Sequence, residues 1–364
     1  MRRLNLLANP PRLGLILLML LYFTYFGSYA IQRHLAFETG AYDVGTNVQP
    51  LWNFTQGRDF SVSLLEDNGI IRWGTHFEPI NYLIAILYAI FPTPRTVLWL
   101  QVAVMTLAAI PLYALAHRRL RNEWAALIIV LAYYLMPATE SVTLFDYHVV
   151  ALAPICLLSA IYFLDKALAA QGKSFWLWPE QPVSQSTTQS ARNAYLLSAL
   201  FFIFALSTKE DISLHVFMIG AYLIILRRQW WQGSLLAVVG LIWFYISFQI
   251  IIPAYRTGGG ESIYISWFES LGDTPLEVAL SPITAPNKVL ALIFKPVNIP
   301  IFWMLTLPLA FLPLAGLPLL VLAAPSLAFT LLSINPTLRQ LETWHYAAPM
   351  LPFIMLATID GLAR

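Results

Sequence analysis

The sequence has a single cysteine, Cys156, among its 364 residues. One cysteine cannot close a disulfide within the chain, and it cannot supply a thiolate metal cluster. Cys156 also lies in an apolar stretch, where a thiol behaves as an inert small hydrophobic side chain. The fold must therefore be stabilised without an intramolecular disulfide and without a thiolate metal cluster.

Charged residues are also scarce. They make up 11% of the chain, whereas soluble domains carry about 25%, and the net charge of +2 is too small to indicate a nucleic-acid partner. Hydrophobic residues reach 59%. The long runs of Leu, Ile and Ala predict membrane-spanning helices rather than the alternating strands of a membrane barrel. We expect an all-α, polytopic transmembrane bundle, with residues 1–364 forming one integral membrane domain.

Hydropathy predicts about ten spans, since each spanning helix needs roughly 20 apolar residues. The apolar segments are 13–31, 96–116, 124–144, 149–168, 194–208, 212–226, 233–252, 297–314, 316–333 and 346–359. The first segment is long enough for a signal anchor, so we expect it to be retained rather than cleaved. The segment 79–91 is too short to cross unaided and is bounded by prolines, which indicates an interfacial or re-entrant helix.

The distribution of charge predicts the orientation. Short cytoplasmic loops are rich in Lys and Arg. If segment 79–91 does not cross, twelve of the 21 basic residues fall on the side of the N-terminus, mostly in tight clusters. We therefore expect a cytoplasmic N-terminus, a cytoplasmic connector at 169–192, and long outer loops at 32–78 and 253–296. On this topology 15 of the 19 acidic residues face outward, which points to chemistry at the extracytoplasmic face.

Asp43 follows the first span, in the segment AYDVGTNVQPLWNF. Val44, Val48, Leu51 and Trp52 recur there at helical spacing, which predicts a helix on the membrane surface with Asp43 near its start. A carboxylate at the interface can act as a general base toward a hydroxyl. It can equally be a solvated N-terminal helix cap.

Other candidate residues lie where outer loops meet apolar segments. They are His76 and Glu78 in WGTHFEPINYL, Asp146 and His148 in FDYHVVALAP, Lys209 and Glu210 in STKEDISL, and His345 and Tyr346 in ETWHYAAPMLPF. Histidine can bind a metal, contact a phosphate or transfer a proton, and a lysine cation suits a phosphate. We expect these residues to bind substrate, because ionisable groups near membrane depth are functional candidates. The simpler alternative is that they are interfacial side chains and a solvated turn.

A divalent cation is the one cofactor that these residues suggest, with Asp43, Asp146 and His148 as its candidate ligands. The pair Asp146 and His148 supplies only two of the usual three or four ligands. No convincing internal repeat is present, which argues against the many transporters that are built from repeats.

Several segments, taken in order, carry a family resemblance: YDVGTNVQPLWNFTQGR, GTHFEPINYLIAILYAIFPTP, FDYHVVALAP, TKEDISL, residues 264–272 and HYAAPMLPF. The chain resembles the uncharacterised predicted membrane proteins called domain of unknown function 2079. Those proteins are in turn similar to the GT-C superfamily of membrane glycosyltransferases, which includes protein mannosyltransferases and aminoarabinose transferases.

The resemblance to GT-C enzymes implies an essential acid just after the first span, short juxtamembrane helices in the first outer loop, and a second acid in the next outer loop. Asp43 matches the first acid and Asp146 the second, which implies catalytic roles for both. GT-C enzymes use sugars linked to polyprenyl phosphate at the outer or lumenal face. The implied partners are therefore a lipid-linked sugar donor and the membrane lipid itself.

Two other functions remain open at the level of sequence. The chain can be a transporter or lipid-handling protein without catalysis, in which case Lys209 and Glu210 should lie at mid-membrane in a cavity open to both sides. It can also be an assembly subunit whose outer loops bind another protein. The sequence indicates no oligomeric state.

Overall fold

The computed structural model describes residues 9–64, 70–177, 188–256 and 265–364. Parts of the sequence prediction lie outside these residues: Arg2, Arg3, Glu66, Asp67, Glu180, Glu261 and the centre of the connector 169–192. The described chain is almost entirely helical, as predicted, apart from a short antiparallel hairpin of β1 (Ser61–Val62) and β2 (Ile70–Ile71) in the first long loop.

The α-helices in chain order are α1 (Pro10–Leu35), α2 (Ala41–Thr55), α3 (Asn81–Ile90), α4 (Pro94–Leu107), α5 (Ala109–Leu120), α6 (Glu123–Tyr134), α7 (Pro137–Leu144), α8 (Ala153–Ala170), α9 (Thr188–Leu206), α10 (Ile212–Ile225), α11 (Trp230–Tyr245), α12 (Ile252–Tyr255), α13 (Pro275–Thr284), α14 (Pro286–Ile293), α15 (Ile299–Thr306), α16 (Leu312–Ala315), α17 (Leu317–Leu320), α18 (Ala324–Leu332) and α19 (Leu351–Ala363).

Within the described ranges, four continuous helices are long and apolar enough to cross a membrane: Pro10–Leu35, Pro94–Leu120, Val149–Ala170 and Trp230–Tyr255. Two bent pairs, α6 with α7 and α14 with Pro296–Leu309, bring the number to six if each pair is one span. Three further predicted spans are shorter apolar helices, Ile212–Ile225, Leu317–Leu332 and Leu351–Ala363. The protein is thus a membrane protein with four to six candidate spans by length and composition.

Proline accounts for much of the difference between the hydropathy prediction and the helices. Residues 297–333 contain Pro300, Pro308, Pro313, Pro318 and Pro325. Each proline removes a backbone donor and clashes with the preceding turn. Predicted spans 297–314 and 316–333 are therefore divided among α15, α16, α17, α18 and short 3-10 turns.

Two sets of ion pairs mark the two ends of the bundle. One set joins Arg118 to Asp165 and Arg119 to Asp360, and the other joins Arg72 to Glu78 and His76 to Glu210. Helix α8 runs between the ends, because it starts just after His148 and carries Asp165 near its other end. Helix α3 has ten residues and rises about 15 Å, half of a bilayer core. Helix α3 alone is therefore too short to span the core, and the placement of segment 79–91 on one side of the membrane stays a prediction.

Helix α19 lies at the centre of the bundle, and its residues from Leu351 to Gly361 are all buried. Two glycines let neighbouring backbones approach it. A Cβ at Gly316 would overlap the carbonyl oxygen of Ala357, and a Cβ at Gly361 would overlap that of Leu312. Helix α19 is therefore held tightly against α16 and α17, and it fixes the turn His345–Ala347 that precedes it.

Candidate functional site

Helix α2 presents Asp43 in its first turn, where the helix dipole favours a negative charge. Val44, Val48 and Leu51 form its buried face, as their spacing predicts. These side chains pack in one apolar cluster with residues of α3 and α4, including Ile84, so α2 is held by protein rather than lying on lipid alone. Trp52, predicted to share this face, is exposed.

Asp146 anchors the start of α2. The backbone N–H of Gly40 donates to Asp146 Oδ2 at 2.7 Å, and a Cβ at Gly40 would meet the same carboxylate oxygen. Asp146 Oδ1 is buried and accepts no hydrogen bond from the described residues. Burial raises the pKa of Asp43, and the nearby Asp146 charge raises it further, against the opposing effect of Arg72. The carboxyl groups of Asp43 and Asp146 thus lie near each other in partly dehydrated surroundings.

His148 lies in the non-helical junction between α7 and the turn Val149–Leu152. Its backbone N–H donates to Gln101 Oε1 at 3.0 Å. Its Nδ1 lies 2.8 Å from the carbonyl oxygen of Asp146, which can only accept, so Nδ1 carries the proton. The other ring nitrogen, Nε2, lies 3.7 Å from Asp43 Oδ1. The junction therefore directs an imidazole acceptor toward the Asp43 carboxyl group.

His345 stacks on His148, with ring centroids 3.6 Å apart and planes inclined by 16°. Burial lowers the pKa of His148 to about 3, and burial together with the neighbouring His148 lowers the pKa of His345 well below its usual range. Both imidazoles are therefore neutral near pH 7. His345 Nδ1 is buried and has no hydrogen-bond partner among the described residues.

His76 and Glu210 form a contact between the first long loop and the turn that joins α9 to α10. His76 Nδ1 lies 2.8 Å from Glu210 Oε1, and the Phe77 backbone N–H donates to Glu210 Oε2 at 3.1 Å. Burial opposes ionisation of Glu210. The charge of His76, its hydrogen bond to the carboxylate and the charge of Lys209 outweigh this effect and lower the pKa of Glu210. Glu210 is therefore an ionised carboxylate that ties the loop to the bundle.

Glu78, predicted to bind substrate, forms a buried ion pair with Arg72 instead. Arg72 Nε donates to Glu78 Oε2 at 3.1 Å, and both side chains are buried, 6% and 4% exposed. Arg72 also donates to Asn47 Oδ1 at 3.3 Å, and Asn47 donates to the backbone carbonyl oxygen of Asp43 at 2.9 Å. This chain of contacts fixes the first turn of α2, so Glu78 positions Asp43 indirectly.

A small cavity of about 50 Å³ lies next to the stacked histidines. Its polar lining includes Lys209, Asp211, His215, His345 and Tyr346. Lys209 Nζ lies 3.3 Å from Asp211 Oδ2. The cavity is therefore lined by the ion-paired cation Lys209 and by the side chain of His345.

The structure brings the sequence-predicted residues to one end of the bundle in linked groups. His148 lies near Asp43, stacks on His345, and contacts the Asp146 backbone, while Asp146 holds the start of the helix that carries Asp43. Lys209 and Tyr346 line the cavity together with His345. His76 and Glu210 form a separate pair. Glu78 lies in the supporting network. Within the described ranges, no three His, Cys, Asp or Glu side chains form a group that could hold a metal ion.

Three contributors were not singled out from the sequence: Arg72, Gln101 and His215. Gln101 and His215 lie within apolar segments, where polar side chains are costly and mark functional or structural sites. That signal could have identified both. His215 Nδ1 lies 2.9 Å from the Leu322 carbonyl and its Nε2 lies 2.7 Å from Ser326 Oγ, so it connects α10 to the start of α18.

Comparison with family models gives one informative match. The model described as predicted membrane protein (DUF2079) matches residues 33–177 and 185–364, which include every candidate site residue. No curated protein and no solved structure matches the chain. Because the family model covers far more than half of the sequence, the chain belongs to the predicted membrane protein family DUF2079.

Proposed function

We propose that this protein is a GT-C-like membrane glycosyltransferase that moves a sugar from a polyprenyl-phosphate-linked donor to an acceptor at the extracytoplasmic face. The observation that carries the proposal is that Asp43, from the first long loop, meets Asp146 and His148, from the junction after α7, beside a cavity lined by Lys209. The proposal includes about ten segments that cross or enter the membrane, with the N-terminus in the cytoplasm.

Asp43 is the proposed general base. As the acceptor hydroxyl attacks the anomeric carbon, its proton passes to the Asp43 carboxylate, and the bond between the anomeric carbon and the phosphate oxygen breaks. The unprotonated Nε2 of His148, 3.7 Å from Asp43 Oδ1, is positioned to share that proton. Asp146 holds the start of α2 through Gly40 and thereby sets the position of the base.

Lys209 and His345 are the proposed contacts to the departing phosphate. Lys209 supplies a positive charge, and a neutral His345 can donate an N–H to a phosphate oxygen from within the cavity. On the other side of α18 lies an apolar groove of about 420 Å³, whose lining includes Leu327, Leu331 and Lys295. This groove suits the hydrocarbon chain of a lipid-linked donor.

A divalent cation does not fit the donor atoms that Asp43, Asp146 and His148 present. Asp146 Oδ2 already accepts the Gly40 N–H, and His148 Nδ1 already donates to a carbonyl oxygen. Asp43 and His148 Nε2 supply two ligands and Asp146 Oδ1 could add a third, but within the described residues no three such side chains are grouped closely enough to hold a metal ion. We therefore assign no step of the reaction to a metal.

The alternative function, transport or lipid handling without catalysis, requires a path open to both sides of the membrane. Lys209 and Glu210 lie at the end of the bundle that holds His76, and the cavity that Lys209 lines is only about 50 Å³. This placement favours a one-sided site. A binding-only assembly subunit would instead tolerate substitutions of Asp43.

The proposal is tested with the purified protein in vesicles, a panel of polyprenyl-phosphate-linked hexoses and pentoses, and a membrane extract that supplies acceptor hydroxyls, by measuring release of polyprenyl phosphate. Replacing Asp43 by Asn should lower the rate of release about 10²- to 10⁴-fold while leaving membrane insertion intact. Asp59→Asn is the matched control, since Asp59 is an exposed acid of the same loop. A wild-type rate in the Asp43→Asn variant would remove Asp43 from the mechanism.

The proposed orientation has a separate test that uses the single buried cysteine. In a Cys156→Ala background, a cysteine is placed at exposed Asp59 or at exposed Arg121 and reacted with a membrane-impermeant maleimide on intact cells. Labelling at position 59 and not at 121 is expected. The reverse pattern would place the site in the cytoplasm.

A further inference from the structure

A second groove lies at the opposite end of the bundle from Asp43. It occupies about 540 Å³ between α8, α9 and α11. Its wall is apolar and includes Leu164, Leu196, Phe202 and Leu235. Its residue from α8, Leu164, is next to Asp165, and Gln171 follows the end of that helix, so the groove belongs to the half of the bundle that holds the Arg118–Asp165 pair.

One end of this groove is polar. Tyr195 OH donates to Gln171 Oε1 at 3.2 Å, and Gln232 Nε2 donates to Tyr195 OH at 3.0 Å. These bonds use the oxygen of the Gln171 amide and leave its N–H groups for another acceptor. Arg192 lines the same end and is exposed. The groove thus offers a cation and amide donors beside an apolar wall.

The dimensions of the groove match one leaflet of a bilayer. From Arg192 to Phe202 helix α9 advances ten residues, or about 15 Å, which is half of the roughly 30 Å hydrocarbon core. Trp231, at the start of α11, also lines the groove and is 78% exposed. Tryptophan is enriched at the level of the lipid headgroups, so the polar end of the groove coincides with the membrane interface.

We propose that this groove binds an anionic phospholipid, with one acyl chain along the apolar wall and the phosphate at Arg192 and Gln171. The proposed sugar transfer uses neither the apolar wall of this groove nor Arg192 and Gln171. On the proposed topology the site faces the cytoplasmic leaflet, where anionic lipids concentrate and attract basic side chains. The proposal requires that α8, α9 and α11 face lipid, and it does not depend on the reaction at Asp43.

The test measures lipid retention by the full-length protein. The purified protein is equilibrated with vesicles of equal parts phosphatidylglycerol and phosphatidylcholine, extracted mildly, and its bound lipids are counted by native mass spectrometry. Phosphatidylglycerol should be retained over phosphatidylcholine. Arg192→Gln should lower that preference about fivefold, as expected for one arginine at the membrane surface.

Two further variants make the result decisive. Ala199→Trp fills the groove at an exposed position and should remove the tightly bound lipid. Arg121→Gln removes an exposed cation between α5 and α6, away from the groove, and should leave the preference unchanged. Size-exclusion profiles check the folding of each variant. Equal retention of both lipids by the wild type, or unchanged retention in Ala199→Trp, would overturn the proposal.

Discussion

The buried ion pair between Arg72 and Glu78 gives the sharpest test of how the site is supported. Glu78→Gln keeps the side-chain volume but removes the negative charge 3.1 Å from Arg72 Nε. Both side chains are almost completely buried, so water cannot replace the lost carboxylate. Removing one partner of such a pair costs about 3 to 5 kcal/mol, because the remaining charge is left in a poorly solvated position.

The expected shift in melting temperature follows from chain length. Unfolding entropies of about 2.1 cal/mol/K per residue give about 0.8 kcal/mol/K for 364 residues. The Glu78→Gln variant should therefore melt about 4 to 7 °C below the wild type. Arg72 also contacts Asn47, which holds the first turn of α2 through the Asp43 carbonyl oxygen. We expect sugar transfer to fall as well.

The assay is thermal unfolding of the detergent-purified protein, followed by a thiol-reactive dye that reports exposure of buried Cys156. Glu38→Gln is the control, because the Arg33–Glu38 pair spans 3.8 Å and Glu38 is 61% exposed. It should shift the melting temperature by about 1 °C or less. The double variant Arg72→Met, Glu78→Leu should recover most of the loss. Equal melting of Glu78→Gln and the wild type would refute the account of this network.

Three further predictions concern pH and packing. Burial and Asp146 raise the pKa of Asp43, so the ionised carboxylate destabilises the folded state. Asp43→Asn should therefore melt at a higher temperature than the wild type near pH 7. This gain should vanish below pH 3.8, the ordinary pKa of an aspartate, where the carboxyl group is protonated in both states. The pKa of Glu210 is lowered, so the stability that its carboxylate contributes is lost as the pH falls below 4.5, the ordinary pKa of a glutamate. In the Glu210→Gln variant, the melting temperature should therefore depend less on pH below 4.5 in the same unfolding assay. Gly361→Val should reduce the yield of monodisperse protein, because its side chain would overlap the Leu312 carbonyl oxygen, whereas Gly14→Ala meets only the movable Leu127 side chain and should be tolerated.

Local elements of the fold were predictable because their signals lie within single segments. The period of Val44, Val48 and Leu51 predicted α2, and the apolar run between Pro79 and Pro92 predicted a short helix, which is α3. The bend of 57° between α6 and α7 was missed. It falls before Pro137, which restricts the preceding residue, but the apolar run continues through it.

The sequence allowed candidate residues to be chosen, and their assignment to a functional site stays a prediction, but it did not show how they are arranged. His148 and His345 are far apart in sequence, and no local pattern indicates that their rings stack at 3.6 Å. Glu78 illustrates a different limit: the sequence placed it beside His76, whereas the structure pairs it with Arg72 in the support of α2. Which carboxylates face a cavity and which face a buried cation depends on tertiary packing.

The most direct test of the central claim compares Asp43→Asn with Asp59→Asn in the same vesicles, by the rate at which polyprenyl phosphate is released from the donor that the wild type uses. A missing general base should lower the rate about 10²- to 10⁴-fold, and the exposed Asp59 should have no effect. Equal rates in the two variants would contradict the assignment of Asp43 as the base of a sugar transfer.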